Sequence, residues 1–308
     1  MTRFRCPDGS DSGGSWQRGV VFTVSNSAPP SPGRYRRHRA LLGALALVGV
    51  AAVGVTSQTN ALPTPSDTGI SSAASLSAPA ERGDQVEVIA PRIVIGTSVE
   101  GRAIVAERMG VAGGRKVLAI GAIHGNEDAG IQVVDELRQR AIDERVELWL
   151  IDSMNPDGVA RQDRHNSNEV DLNRNFPYRW GPIGQPGNSQ YAGTGPASEP
   201  ETRAAVSFIT WLRPDIMLWY HQDANLIIPS TGRDGRIRAR YAELTALPLA
   251  ECCGGGGIFT GIAAAWANNE LKRDSDAVAF IVELPGGVLN TQQVDAHANA
   301  VLTIGIEG

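Results

Sequence analysis

Cysteine is scarce in this chain. Three cysteines occur among 308 residues, at Cys6, Cys252 and Cys253. Their number and spacing exclude a disulfide framework and a cysteine-based zinc site. The adjacent pair is either a strained vicinal disulfide or two free thiols, and we assign no chemistry to it.

Clustered basic residues are also lacking outside the amino-terminal region. Residues 1–55 contain seven arginines against two aspartates, a balance of +5, so the formal charge of −5 for the whole chain leaves −10 for the remainder. Phosphate binding needs a stripe of lysine and arginine. We therefore expect no nucleic-acid partner.

The apolar run at 41–55 is too short for a standard membrane-spanning helix. It contains 15 consecutive apolar or glycine residues, whereas a bilayer requires about 20. Four arginines between residues 34 and 39 precede it and small polar residues follow it, which is typical of a signal peptide. We expect a secreted or cell-wall-associated protein, which contacts the membrane only if the leader stays uncleaved as an anchor.

Composition divides the chain into three parts. Residues 1–61 form the predicted leader, and residues 62–85, rich in Ser, Ala, Thr and Pro, form a predicted flexible linker. Residues 86–308 form one predicted catalytic domain. With 42% hydrophobic residues overall, the chain can bury a core without crosslinks.

Apolar runs alternate with helical patterns in this predicted domain. The expected strands are 92–97, 102–108, 116–122, 146–152, 215–221 and 277–284, with a hairpin turn at 98–101. The expected helices are 127–141, 198–212 and 291–303. Ser198 and Glu201 have capping-box spacing at the start of the second helix, with Pro200 in its first turn. The alternation predicts an α/β fold with a mixed, mostly parallel central sheet flanked by helices, and an active site beyond the carboxyl ends of the strands.

Two potential metal ligands follow the third predicted strand. His124 and Glu127 lie three residues apart, and a catalytic zinc takes three protein ligands while leaving a fourth position for water. Among the other histidines of the domain, His221 ends a predicted strand, whereas His165 lies in a polar loop and His297 in the last helix. Taken alone, this pair is a weak signal and is more typical of a capped or surface pair than of a metal site.

A carboxylate closes the last predicted strand. Glu283 follows the apolar run 277–282 and precedes Leu284-Pro285-Gly286-Gly287. A glutamate in this position must be paired, solvated in a cleft or functional. A salt bridge at the rim of the sheet is the alternative to a catalytic role.

Several motifs occur in an order that identifies a family. They are His124-Gly125-Asn126-Glu127, Asn155-Pro156-Asp157-Gly158, Asp171-Leu172-Asn173-Arg174-Asn175-Phe176-Pro177, Tyr220-His221-Gln222 and Glu283-Leu284-Pro285. This order resembles that of carboxypeptidase A-like zinc peptidases, and within them the murein peptide amidases most closely. The resemblance covers roughly residues 92–301.

The resemblance implies a set of catalytic roles. One zinc ion would be held by His124, Glu127 and His221. Glu283 would be the general base, taking a proton from water that zinc acidifies and passing it to the leaving amine. Arg164 matches the arginine that polarises the scissile carbonyl. Its alternative is a solvated loop charge.

The resemblance also implies substrate-binding and supporting residues. Asn173 and Arg174 match the pair that grips the terminal carboxylate of the substrate, although Arg161 could compete for this role. Asp171 matches a carboxylate that orients the first zinc histidine, His124 here, but it could instead cap a turn. The motif at 155–158 has turn composition and is interpreted as scaffold.

The implied function is that of a zinc metallocarboxypeptidase or murein peptide amidase. Its substrate would be a peptide or muropeptide, with the γ-D-glutamyl-diaminopimelate bond as the family's suggested target. No tyrosine follows Tyr241, where digestive-type carboxypeptidases carry a mobile one, and the stretch containing Thr260-Gly261-Ile262 resembles the amidase branch. The alternatives are an aspartoacylase- or desuccinylase-like acylase and a non-catalytic wall-binding relative. No nucleophile elbow is found, so no acyl-enzyme is expected.

Overall fold

A six-stranded mixed sheet forms the centre of the protein. The computed structural model describes residues 92–251 and 259–308. The leader, the linker and the cysteine pair at 252–253 lie outside these ranges, so the statements about them stay predictions. Within the described ranges, no helix has the length and apolar character needed to cross a membrane.

The strands follow one another in the sheet in the order β1-β2-β4-β3-β5-β6. Their bounds are β1 Arg92–Thr97, β2 Ala103–Gly110, β3 Arg115–Ile120, β4 Val146–Ile151, β5 Ile216–Leu226 and β6 Val278–Pro285. The last four strands in this order are parallel to one another, whereas β1 and β2 form an antiparallel hairpin and β2 pairs antiparallel with β4. The mixed, mostly parallel sheet and the hairpin at 98–101 are confirmed.

Helices cover both faces of the sheet. Their bounds are α1 Ala129–Arg138, α2 Pro156–Arg161, α3 Pro200–Leu212, α4 Gly232–Thr245, α5 Ala263–Leu271 and α6 Thr291–Glu307, and a single 3₁₀ turn spans Leu172–Arg174. One face packs against α1, α4 and α6, and the other against α3 and α5. Alternate residues of the central strands enter the two cores, because successive side chains of a strand point to opposite faces.

Strand β5 is longer than the sequence predicts. It continues through Leu226, so the prediction that His221 ends its strand is wrong. Pairing with β3 stops at Trp219, and beyond that point β5 pairs only with β6. Polar residues are tolerated in this part of β5 because one of its edges is unpaired. A search of the sequence for apolar runs therefore does not detect the end of the strand.

Other boundaries also differ from those predicted from the sequence. Helix α1 begins after Glu127, whose N–H closes a turn on the carbonyl of His124 at 3.2 Å. The predicted capping box at Ser198 is wrong, because the hydroxyl of Ser198 contacts the Glu199 side chain and Glu201 accepts the Val99 N–H at 3.0 Å.

Three helices, α2, α4 and α5, were not predicted. The motif at 155–158 opens α2 instead of forming an isolated turn, with the Asn155 side chain accepting the Gly158 N–H at 2.9 Å. Helix α4 was missed although Ile237, Tyr241 and Leu244 have helical spacing, because its other positions are strongly polar. Helix α6 begins at the predicted residue and extends to Glu307.

Candidate active site

The loop after β3 brings His124 to the carboxyl edge of the sheet. The loop lies against α2 with no room for a side chain between them, since a Cβ atom on Gly125 would lie 1.9 Å from the carbonyl carbon of Gly158. The N–H of Met154 donates to the Ala122 carbonyl at 2.8 Å and joins this loop to the one after β4. Glycine at position 125 is therefore required by the close packing of the two segments.

Three predicted metal ligands converge at this edge. Ligand atoms of His124, Glu127 and His221 all lie within 4.8 Å of one another. The Nδ1 atoms of the two imidazoles lie 2.9 Å and 2.8 Å from the same oxygen, Oε2 of Glu127. All three residues are at most 9% exposed, so the cluster is shielded from bulk water.

The chemistry of this donor set fits zinc. Two imidazole nitrogens and one carboxylate oxygen match the ligand types of a catalytic zinc site. His124 Nδ1 is buried, and although it lies 2.9 Å from Glu127 Oε2 the two atoms form no hydrogen bond, and Nδ1 has no other hydrogen-bond partner among the described residues. An unpartnered buried ring nitrogen is costly unless something else contacts it. The residues could therefore hold a metal ion, and the side chains around them fix their orientation.

Asp171 orients the first histidine. Its Oδ1 lies 2.9 Å from His124 Nε2 and also accepts the Asn173 N–H at 2.9 Å. Burial raises the pKa of Asp171, but the charges of His124 and Arg164 outweigh burial and hold that pKa well below its usual range. An ionised carboxylate can only accept, so Nε2 carries a proton, and Nδ1 is the ring nitrogen that faces the other candidate ligands. Asp171 thus supports the histidine and caps the 3₁₀ turn at once.

Glu127 and His221 are also fixed by the side chains around them. Burial raises the pKa of Glu127, but the neighbouring charges of His124 and His221 lower it far below its usual range, so the ligand carboxylate is ionised. The other ring nitrogen of His221, Nε2, lies 3.3 Å from the Asn173 amide nitrogen. Asn173 is itself fixed because its Oδ1 accepts the Ala263 N–H at 2.9 Å.

Arg164 lies against the candidate metal ligands. Its guanidinium donates to Glu127 Oε1 and to Asp171 Oδ2, each at 2.8 Å. Burial lowers the pKa of Arg164, but the charges of Asp171, Glu127 and Glu283 outweigh it and raise that pKa above its ordinary value. A fixed, permanently charged group therefore borders the cluster.

Glu283 lies beside His221 on the neighbouring strand. The two residues are direct partners in the parallel pairing of β5 and β6, so their side chains point to the same face of the sheet. The Glu283 side chain is half-buried. It therefore borders the cluster while keeping contact with solvent.

Arg174 is a buried cation without an acidic partner. Its Nη1 donates to the Asn173 carbonyl at 2.9 Å and its guanidinium lies over the Phe259 ring at 5.4 Å. It forms no ion pair with any carboxylate in the described ranges, and its Nε has no hydrogen-bond partner there. Burial lowers its pKa from the ordinary value. An anion is the natural partner of such a group.

The remaining arginine and histidine candidates from the sequence lie away from the candidate metal cluster. Arg161 contacts Glu100 and Ser167 instead of the cluster. His165 pairs with Asp163 at 3.0 Å, and His297 is a buried residue of α6.

Two contacts near the cluster were not predicted from the sequence. The Phe259 ring covers Arg174, and the Gln222 side chain bonds to segments on both sides of the cluster. For Gln222 the only signal was its place next to His221.

Comparison with known proteins identifies the family. The model of the zinc carboxypeptidase family matches residues 84–247. Carboxypeptidase O of Homo sapiens is 40% identical over 80 residues, covering 24% of this chain and 21% of that protein. Murein peptide amidase A of Escherichia coli (strain K12) is 27% identical over 148 residues, covering 44% of this chain and 60% of that protein. This chain thus spans less than two thirds of either relative.

Solved structures share the fold. The murein-tripeptide amidase of Escherichia coli O157 has a TM-score of 0.55 at 22% identity, covering 68% of this chain and 91% of that one. Carboxypeptidase A of Helicoverpa armigera has a TM-score of 0.61 at 17% identity, covering 71% and 68%. The relatives indicate a hydrolase, and the family implies zinc and peptide substrates. The predicted family is confirmed: the chain belongs to the zinc carboxypeptidases.

Proposed function

We propose that this protein is a zinc-dependent metallopeptidase that hydrolyses a peptide or amide bond next to a free carboxylate. The observation that carries the proposal is the convergence of His124, Glu127 and His221 beside Glu283. The family model supports it independently, because it matches more than half of the chain.

The reaction divides among residues of this cluster. His124, Glu127 and His221 would hold a zinc ion, which would act as a Lewis acid that acidifies and orients water. Glu283 accepts a proton from the attacking water and gives it to the leaving amine. Arg164 stabilises the negative charge that develops on the carbonyl oxygen. Its contacts to Glu127 and Asp171 hold the guanidinium in place before substrate arrives.

Arg174 supports the proposal that the substrate carries a free carboxylate. This guanidinium is buried, stacked on Phe259 and without an acidic partner in the described ranges. A planar guanidinium binds a carboxylate through two parallel hydrogen bonds. Asn173, the second predicted carboxylate-binding residue, already contacts His221 and Ala263. We therefore assign the larger part of carboxylate binding to Arg174.

Peptidoglycan peptides are the proposed substrates. The similarity to murein peptide amidase A supports this choice, and the signal-peptide pattern at 41–55 agrees with a substrate outside the cytoplasm. We propose an exported enzyme, either released or associated with the wall. Amino-terminal sequencing of the protein from the wall and medium fractions should reveal cleavage after residue 55. Cytoplasmic retention of the full chain would contradict export.

Hydrolysis assays on defined substrates test the proposed function. Zinc-loaded protein should hydrolyse a muropeptide carrying a free carboxylate faster than an N-acyl amino acid or a generic carboxy-terminal dipeptide. Glu283→Gln should retain zinc but lose about 100- to 10,000-fold in kcat, because the base is removed. Preference for the acyl amino acid would indicate an acylase, and binding without turnover a non-catalytic relative. Full activity of Glu283→Gln, or in excess chelator, would refute the mechanism.

A further inference from the structure

The side chain of Gln222 connects the two segments that flank the candidate metal cluster. Its Oε1 accepts the N–H of Ala129, the first residue of α1, at 3.0 Å. Its Nε2 donates to the carbonyls of Pro285 at 2.9 Å and Gly287 at 2.8 Å. Ala129 lies two residues after Glu127, and Pro285 lies two residues after Glu283.

These three contacts use both donors and one of the two acceptor lone pairs of the Gln222 amide. The acceptor must face an N–H and the amino group must face two carbonyls, so the orientation of the amide is determined by its partners. A glutamate at position 222 would keep the acceptor but lose both donors. A methionine of similar length would lose all three bonds.

The start of α1 depends on this contact. Asp128 is the residue before the helix, and its side chain makes no capping hydrogen bond. The first N–H groups of a helix have no partner within the helix, so Gln222 supplies one from a neighbouring strand. The backbone N–H of Gln222 also donates to Glu127 Oε2 at 3.3 Å. One residue thus contacts a metal ligand, the helix that follows it and the loop after the proposed base.

We propose that Gln222 is a positioning residue that sets the distance between the metal ligands and Glu283. The inference rests on the proposed function, because it gives Gln222 a role in the same reaction. A displacement of about 1 Å between a base and the atom it serves can lower a rate about 100-fold. Loss of the contact should therefore reduce kcat while leaving the ligands and the carboxylate-binding Arg174 intact.

Amide hydrogen exchange tests the contact without any substrate. In the full-length protein, Gln222→Met should accelerate exchange of the Ala129 N–H about 10-fold or more. Gln222→Glu keeps the acceptor and should stay within about threefold of the parent. Unchanged exchange in Gln222→Met would overturn the inference.

Gln132 offers a matched control. Its Oε1 accepts the N–H of Leu289 at 3.0 Å, so it also joins α1 to the loop after β6, but farther from Glu283. Gln132→Met should leave both Ala129 exchange and kcat within about threefold of the parent.

Kinetics of the zinc-loaded variants test the role in the reaction. Gln222→Met and Gln222→Glu should each lose about 10- to 100-fold in kcat with KM within about threefold, while binding one zinc per chain. A loss in Gln132→Met as large as in Gln222→Met, or a loss explained by missing zinc, would overturn the positioning role. If the parent protein hydrolyses no substrate, the proposed function fails, whereas the exchange experiment still decides whether the contact exists.

Discussion

At the scale of single residues, Asp171 fixes several groups of the candidate metal cluster at once. One buried carboxylate accepts from His124, from the Asn173 N–H and from Arg164. Since only an ionised carboxylate can accept from all three, its charge determines which nitrogen of His124 is available to a metal.

Asp171→Asn should therefore weaken zinc binding about 10- to 100-fold, because the amide cannot accept from all three donors. The measurement is competition against a chromophoric chelator. Asp157 offers a control, since it is also fully buried but accepts from Ser98 and Glu100 at the hairpin. Asp157→Asn should lower the melting temperature with little change in zinc affinity. Equal zinc affinities of the parent and Asp171→Asn would contradict the assignment.

Arg174→Met should raise KM for a carboxylate-bearing substrate about 10- to 100-fold with little change in kcat, because it removes binding shared by ground and transition states. Steady-state kinetics with the substrate and its carboxamide test this. For the carboxamide, the KM values of the parent and of Arg174→Met should be similar.

Arg161→Met is the matched control, since its guanidinium contacts Glu100 and Ser167 instead. It should leave KM within about twofold. A rise in KM confined to this variant would assign carboxylate binding to Arg161.

The residues of the cluster could be named from the sequence, but their contacts could not. His124 and Glu127 were visible as a short motif, His221 and Glu283 were visible as polar residues at predicted strand ends, and the order of motifs joined the four into one site. The bridge from Arg164 to Glu127 depends on how a polar loop folds back, which apolar periodicity does not encode.

At the scale of elements, close approach of backbone segments determines the geometry of the cluster. The loop carrying His124 touches α2, and a Cβ on Gly125 would lie 1.9 Å from Gly158 and 2.4 Å from the Asp163 carbonyl. Backbone atoms on two sides leave no flexible neighbour to move aside, so the loop and α2 can only fit together with glycine here.

Gly125→Ala should therefore destabilise the fold by about 3 kcal/mol, the upper part of the range for overpacking. Urea unfolding is the measurement. Gly195 has open space around an added Cβ and lacks a positive φ angle. Gly195→Ala should change stability by less than about 0.5 kcal/mol. Equal midpoints for the two variants would show that the loop can move away from α2.

Strand and helix predictions succeeded where burial produced a periodic pattern. Strands β3, β4 and β6 are apolar and were found within two residues of their ends. Past Trp219, β5 loses one neighbouring strand and its residues become polar, so the signal disappears although the strand continues. The failed capping box has a similar cause, because tertiary contacts of Glu201 outcompete a local hydrogen bond.

At the scale of the whole molecule, a buried polar chain joins β5 to two helices. The hydroxyls of Tyr220 and Tyr241 lie 2.9 Å apart, and Tyr241 lies 2.8 Å from His297 Nδ1. Burial lowers the pKa of His297 to about 4. In the unfolded chain a histidine titrates at about 6.5, so below that pH the unfolded state binds the proton more readily.

The free energy of unfolding should accordingly fall as the pH drops from about 6.5 to about 4. The contribution of His297 to this loss is on the order of 3 kcal/mol, and it is absent above pH 6.5. His297→Gln should flatten the pH profile in this window, as measured by urea unfolding at each pH. The control His165→Gln, in a polar loop away from this chain of hydroxyls, should keep the steeper profile. Parallel profiles for the parent and His297→Gln would contradict the prediction.

The pairing of His221 with Glu283 has a consequence for how this enzyme family can vary. Adjacent strands are about 4.8 Å apart, so the backbone separation of His221 and Glu283 is set by the pairing of β5 with β6 and does not depend on the length of the segment that connects the two strands. Insertions between β5 and β6 can reshape the substrate cleft at small entropic cost. A single deletion inside β6 that shifts its register would instead turn the carboxylate to the opposite face. Specificity can thus evolve by loop exchange while the distance needed for catalysis is inherited unchanged.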